Sequence, residues 1–236
     1  MLKHKFLFFI IFLMLPSAIW AQSYESYSYS RETKWGINKN TSGGLIGGII
    51  IKHSRGITDR IFQTFGVELV NITHPNEVRY PSATGNFFKY GKENYLYSIR
   101  TQYGRDVVLF KKAPQKGAQI IAMMAGGPSF GFITPYYIDV GNSPEPYDPE
   151  KPSHQTGPIF GTGRVFQGLA KNGLNLGVNL KAGFSFEFGV FKNNVTGFEI
   201  GVLLDVYTEK VQIMDGTDPV NIFPTSFLTL FWGARK

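Results

Sequence analysis

Between Asn172 and Gly189 the chain reads NGLNLGVNLKAGFSFEFG, and from Leu174 every even position is apolar: Leu174, Leu176, Val178, Leu180, Ala182, Phe184, Phe186 and Phe188. The odd positions are small or polar: Asn175, Gly177, Asn179, Lys181, Gly183, Ser185 and Glu187. Successive side chains of a strand point to opposite faces, so this is one strand with a continuous apolar face and a face of glycine, amide and charge. Soluble strands run to about 5–6 residues, whereas a tilted membrane-crossing strand needs about 9–11. Lipid on one side and a narrow polar interior on the other account for this pattern better than a soluble core does.

The same period of two recurs along the chain. Thr33–Asn40 sets Trp35 and Ile37 against Lys34, Gly36 and Asn38, and Thr41 to Gly44 supply turn chemistry. Leu45–His53 is a second strand, its alternation weakened by the run Ile49–Ile51. Ile61–Ile72 puts Phe65, Val67 and Leu69 opposite Thr64, Gly66 and Glu68. Asn94–Tyr103 puts Tyr95, Tyr97, Ile99 and Tyr103 opposite Leu96, Ser98, Arg100 and Gln102. Ala118–Thr134 follows, and Pro128 after Gly126-Gly127 predicts a bulge or strand end there, because proline removes a ladder donor. The opening stretch is the sixth strand, closed by a turn at Lys192, Asn193 and Asn194. Val195–Glu209 sets Phe198, Ile200, Val202, Leu204 and Val206 against Gly197, Glu199, Gly201 and Asp205. Thr225–Ala234 is the eighth strand. Leu228, Leu230 and Trp232 point outward, but Phe227 and Phe231 on the other parity leave its facing open.

Parity tests this arrangement. With a periplasmic N-terminus, the connections 54–60, 104–117 and 191–194 fall inside, and 41–44, 73–93, 135–171 and 210–224 fall outside. Three of the four longest connections are then external, as outer-membrane barrels require. An even strand count also returns the C-terminus beside strand one. The expected fold is all-β, an eight-stranded antiparallel up-and-down transmembrane β-barrel over 33–236, after a short periplasmic lead at 22–32. Aromatic residues near the end, in FLTLFWGARK, suit recognition by an assembly machine, although Arg235-Lys236 departs from an aromatic terminus.

Short motifs carry a family likeness. His74-Pro75-Asn76-Glu77, Tyr90-Gly91-Lys92-Glu93-Asn94, and Gly127-Pro128-Ser129 leading to Pro135-Tyr136-Tyr137 resemble segments of an uncharacterised family of small Gram-negative outer-membrane β-barrel proteins. The likeness runs over roughly 33–236. It implies an eight-stranded barrel in the outer membrane and supplies neither a reaction nor functional residues.

The N-terminus agrees with export. In MLKHKFLFFIIFLMLPSAIWA, residues 1–21, Lys3 and Lys5 precede an apolar run from Phe6 to Leu15 and a cleavage region from Pro16 to Ala21. Its apolar core is nearer ten residues than twenty, too short for an anchor helix. The chain has no cysteine, which excludes a lipoprotein, a disulfide scaffold and a thiolate metal site. Aromatic residues reach 15%, which suits the girdles of a barrel. Losing Lys3 and Lys5 with the leader lowers the net charge from +7 to +5. No nucleic-acid motif accompanies that charge, so outer-membrane lipid headgroups are the expected contact.

Candidate chemistry is sparse. Lys34, Glu68, Arg100, Lys181, Glu187, Glu199 and Asp205 fall on inward parities with both signs present. An eight-stranded barrel is just wide enough for side chains to fill it, and buried charges persist when paired, so an ion-pair network is expected in the lumen. His53-Ser54 are strand neighbours on opposite faces, unsuited to a nucleophile–base pair. His74 and Glu77 sit in an outside loop, where His74-Pro75 sets a turn before Asn76. His154 has no nameable neighbour. Asp139, Glu145, Asp148 and Glu150 share a loop but match no calcium pattern. Val107 to Lys112 is either a strand extension or an apolar-basic patch for headgroups or a periplasmic partner. No catalytic, cofactor or metal residue emerges. The expected function is a non-enzymatic structural barrel, or an accessory subunit presenting loops to another outer-membrane or periplasmic envelope protein. A lipid A-modifying enzyme and a narrow solute channel are the alternatives.

Overall fold

The computed structural model describes residues 29–43, 47–111, 117–141, 143–155, 157–164, 167–168, 173–188 and 193–236. The expected leader over 1–21, most of the lead at 22–32 and the turn residue Lys192 lie outside them. In chain order the strands are β1 (Arg31–Asn40), β2 (Gly48–Gly56), β3 (Ile61–Ile72), β4 (Arg79–Pro81), β5 (Phe87–Lys89), β6 (Asn94–Phe110) and β7 (Gln119–Pro135). They continue with β8 (Tyr137–Asp139), β9 (Pro144–Pro146), a helical turn at Pro152–Gln155, β10 (Gly161–Thr162), β11 (Gly173–Phe188), β12 (Asn194–Val211) and β13 (Val220–Arg235).

Eight of these close a barrel in the order β1-β13-β12-β11-β7-β6-β3-β2, every neighbour antiparallel. Each joins its neighbour in sequence, and β13 closes on β1 through nine residue pairs from Glu32–Arg235 to Asn40–Phe227. One row of register partners runs from Arg31 through Arg55, Gln63, Arg105, Met124, Ala182 and Val202 to Ser226. Ser226 then accepts a hydrogen bond from the Thr41 backbone, ten positions along the chain from Arg31. That stagger tilts the strands by roughly 40° from the barrel axis.

Burial alternates along every wall strand as the pleat requires. On β11, Asn175, Asn179, Lys181, Ser185 and Glu187 are buried, while Leu174, Leu176, Val178, Leu180 and Phe184 are exposed. The inward set therefore matches the odd parity of the sequence. The eighth strand is resolved: Leu228, Leu230 and Trp232 face out, and Phe227 and Phe231 face in beneath the ammonium groups of Lys181 and Lys34. Aromatic faces attract cations, so rings are useful inside a charged lumen.

Several boundaries move. β6 continues seven residues beyond Tyr103 to Phe110, so Val107 and Leu109 belong to the wall and not to a turn. Lys111 follows the strand, and Lys112 is outside the described residues. β7 neither bulges nor ends at Pro128: Arg100 faces Ser129 and Tyr103 faces Gly126 in one register, and Pro128 still pairs with Val178 of β11. The Asn179 side chain, reaching over from β11, donates to the Thr101, Gly127 and Pro128 carbonyl oxygens at 3.3, 3.0 and 3.2 Å. It thus satisfies backbone acceptors where the β6–β7 ladder lapses. β13 starts at Val220 and includes Pro224, so the last long loop shrinks from 210–224 to 212–219. Pro224 lies beyond the last β1 partner of β13, on an edge where proline is tolerated.

The strand ends joined by short stretches of sequence, Gly56 with Ile61, Phe110 with Gln119 and Phe188 with Asn194, gather at one end, the short-turn end. Long connections gather at the other, as parity required. The described residues within 73–93 and 136–172 carry the β4–β5 hairpin and a small sheet ordered β10-β8-β9. Gly183 and Gly201 face each other across β11 and β12, and a Cβ on Gly201 would run into the Ala182 carbonyl oxygen. Gly201→Val is therefore expected to reduce the yield of closed barrel several-fold, read as loss of the fast-migrating folded band in unheated gels.

Candidate functional site: the filled lumen and the loop head

The lumen holds three layers of charge. Nearest the short turns, Lys34 on β1 lies 3.3 Å from Glu32 and 2.5 Å from Glu187 on β11. Arg235 on β13 pairs with the same two carboxylates, and its guanidinium lies 4.1 Å above the Tyr29 ring. In the middle layer, Lys52 on β2 contacts Asp106 on β6 at 2.9 Å and Glu199 on β12 at 3.0 Å, with Lys181 3.9 Å from Glu199. In the upper layer, Arg100 on β6 grips Asp205 on β12 with two nitrogens, at 3.1 and 2.5 Å, and Glu68 on β3 at 3.4 Å. Ser129 donates to Asp205 at 3.2 Å, and Asn38 donates to Glu68.

All seven inward charges read from the sequence take part. Sequence reasoning missed Glu32, Lys52, Asp106 and Arg235. Each stood where alternation was blurred: in the presumed lead, in the Ile49–Ile51 run, in a presumed connection and after the last aromatic residue. Counting two residues back from Lys34, or one on from Ile51, would have found the first two.

Apolar plugs lie beyond the charged layers. Phe62, Val108 and Ile121 close the short-turn end, with Tyr29 stacked on Phe62 at 4.8 Å. Val70, Ile72, Leu96, Tyr207, Ile213 and Phe223 are buried at the long-loop end. The cavity lined by Lys52, Gln102, Asp106, Lys181 and Glu199 amounts to about 10 Å³, room for one water at most. Among the described residues this interior is filled by side chains.

Above it, the loop head is organised by Glu77. Its carboxylate accepts from both Lys89 and Lys92, and also from the His74 backbone at 3.2 Å. Burial pushes the Glu77 carboxyl up, but Lys92 and Lys89 outweigh it and hold the group below the usual carboxylate range. Burial brings the Lys92 ammonium down to about 8 against the pull of Glu77. The Tyr136 hydroxyl accepts from the Lys89 backbone at 2.8 Å, and burial pushes it up to about 12. Asn94 donates to the Gln212 carbonyl at 2.8 Å, tying in the last loop. Glu77, Lys92, Asn94 and Tyr136 all come from the motifs noted in the sequence; Glu77, Lys92 and Tyr136 gather about Lys89, while Asn94 reaches the last loop instead.

The remaining candidates do not converge on a nucleophile. His53 is outside the wall, with Nδ1 2.9 Å from the Thr33 hydroxyl, whereas Ser54 is buried inside. His74 accepts from the Asn76 backbone through Nδ1, completing a turn. His154, which had no nameable neighbour, is fully buried: Nδ1 accepts from the Asp148 backbone at 3.0 Å, and Nε2 lies 2.8 Å from Glu145. That pairing leaves the Nε2 proton directed at Glu145. The loop acids are engaged separately, Asp139 by the Gly141 backbone, Asp148 by the Glu150 backbone, and Glu145 by His154 and Lys151. Among the described residues no three potential ligands cluster around a metal position.

No protein-family model matches this sequence, and no curated protein matches it. Similar solved structures include Neisserial surface protein A, with 12% identity over 90% of this chain and all of that one, at a TM-score of 0.39. Ail of Yersinia pestis is similar at 8% identity over 88% of this chain and 97% of that one, TM-score 0.37. The N-terminal β-barrel domain of Pseudomonas aeruginosa OprF is similar at 10% identity over 90% and 100%, TM-score 0.34. These neighbours are eight-stranded outer-membrane barrels. The barrel assignment here rests on the strand pairing of the chain itself.

Removing the cation alone and removing its whole layer should differ in size. Arg100→Met leaves Glu68 and Asp205 buried without a cation and should cost about 3–5 kcal/mol. Adding Glu68→Gln and Asp205→Asn to it should recover most of that loss, read as the urea midpoint of the reconstituted barrel. For the loop head, a lowered Glu77 contributes stability above the ordinary carboxylate range that is lost as pH falls through its folded value. Hydrogen exchange over 74–93, corrected for intrinsic rates, should therefore accelerate as pH falls below the ordinary carboxylate range, and Glu77→Gln should remove that dependence.

Proposed function

We propose that this protein spans a Gram-negative outer membrane as a filled barrel, has no reaction of its own, and serves as a structural component or accessory subunit. Its loop head would then meet an envelope partner outside the cell. The observation that carries this reading is the sidedness of the wall. A closed sheet leaves no unpaired edge around its girth, which is the condition for strands in hydrocarbon. The eight apolar positions of β11 extend about 35 Å along the axis at the observed tilt, enough to cover the roughly 25 Å apolar band of such barrels. Trp35 and Trp232, exposed and 5.2 Å apart, suit a membrane interface. The filled lumen favours a structural role over a solute channel. The ordered loop head, with Val78, Tyr80, Phe87 and Tyr90 exposed upon it, supports a docking role.

Two measurements test this. In vesicles containing brominated acyl chains, Trp35 and Trp232 fluorescence should be quenched, whereas a protein that stays in the aqueous fraction without detergent would overturn the membrane reading. In planar bilayers the inserted protein should show no steady conductance, and a persistent large current would overturn the filled-lumen reading.

A further inference from the structure

At the short-turn end a row of basic residues faces out. Lys236 and Arg31 exchange both backbone hydrogen bonds at 2.9 Å, so they stand directly opposite, and Arg31 is the register partner of Arg55. The row continues through Gln63 to Arg105. All five residues are exposed, while their strand neighbours Glu32, Ser54 and Asp106 are buried. Glu32 and Asp106 are moreover held by Lys34 and Lys52. Among the described residues no carboxylate forms an ion pair with Lys236, Arg31, Arg55 or Arg105; Asp59 is exposed in the adjacent turn, outside the row.

Like charges directly opposite on a sheet face repel, and among the described residues no carboxylate side chain pairs with this row. We propose that the row binds the phosphates of anionic phospholipid headgroups in the leaflet facing the short turns. This rests on the membrane reading above. The choice of lipid comes from what lies next to the cations on the same strands and the same face. Four positions from Arg31 and from Lys236 stand Trp35 and Trp232, and four from Arg55 stands Ile51. A phosphate set against the guanidinium groups places its acyl chains along that apolar surface, and arginine matches phosphate with two parallel hydrogen bonds. The stagger of the wall makes the row climb from Lys236 toward Arg105, so the arginines reach headgroups at successive depths.

The test uses the full chain reconstituted in phosphatidylcholine vesicles carrying spin-labelled phosphatidylcholine or spin-labelled phosphatidylglycerol. The motion-restricted fraction should be several-fold richer in phosphatidylglycerol. That preference should fall in about 1 M salt, where screening is nearly complete, and vanish in a variant combining Arg31→Gln, Arg55→Gln and Lys236→Gln. Arg31→Lys with Arg55→Lys should restore most of it. Equal restriction of both lipids, or an unchanged preference in the triple variant, overturns the proposal while leaving the membrane reading intact. No restriction of either lipid overturns both. Full displacement of phosphatidylglycerol by millimolar inorganic phosphate would identify a soluble-anion site and overturn the lipid assignment. Gel mobility of each variant shows that the barrel has formed.

Discussion

Among the described residues eleven charged side chains share the inside of this barrel, and each lies within reach of at least one of opposite sign. Stripping water from a charge is costly, and mutual attraction offsets that cost only where geometry is good and the remaining polar atoms are satisfied. The partners come from distant parts of the chain: Lys34 meets Glu187, Lys52 meets Glu199, and Arg100 meets Asp205. These contacts exist only in the closed cylinder. The wall, its filled lumen and its apolar exterior thus stand together, because a register slip of one residue would send every charge to the outside.

Much of this was legible in the sequence because the period of two leaves little ambiguity. On β11 and β12 the parity separated inside from outside at every residue. Legibility failed where local chemistry masked the period. Pro128 looked like an interruption, since the remedy, the Asn179 amide on a neighbouring strand, is a contact between distant residues. Val107 and Leu109 read equally as a strand extension or an apolar-basic patch, because basic residues follow them, and β6 takes the first course. The inward Phe227 and Phe231 confused a rule built on hydrophobicity alone, since their partners are the ammonium groups of Lys181 and Lys34.

The loop head was the least legible part. Its motifs were visible as short strings, but their meaning is spatial: Glu77 lies between Lys89 and Lys92, the Tyr136 hydroxyl caps the Lys89 backbone, and Asn94 reaches the last loop. Tyr136, Ile138, Tyr147 and Ile159 give this assembly a small apolar core of its own. A surface held in place in this way presents side chains at fixed positions, which suits recognition better than a freely moving loop does.

Closure of β1 on β13 has a consequence for how such a molecule is built. Glu32 and Arg235 come from opposite ends of the barrel sequence, and both belong to the layer that also neutralises Lys34 and Glu187. An unfinished sheet lacking its final strand keeps two acids and a single lysine in that layer and has two raw edges. On the membrane reading proposed above, its carboxylates would need water that hydrocarbon does not provide, which favours closing the seam as the sheet enters lipid.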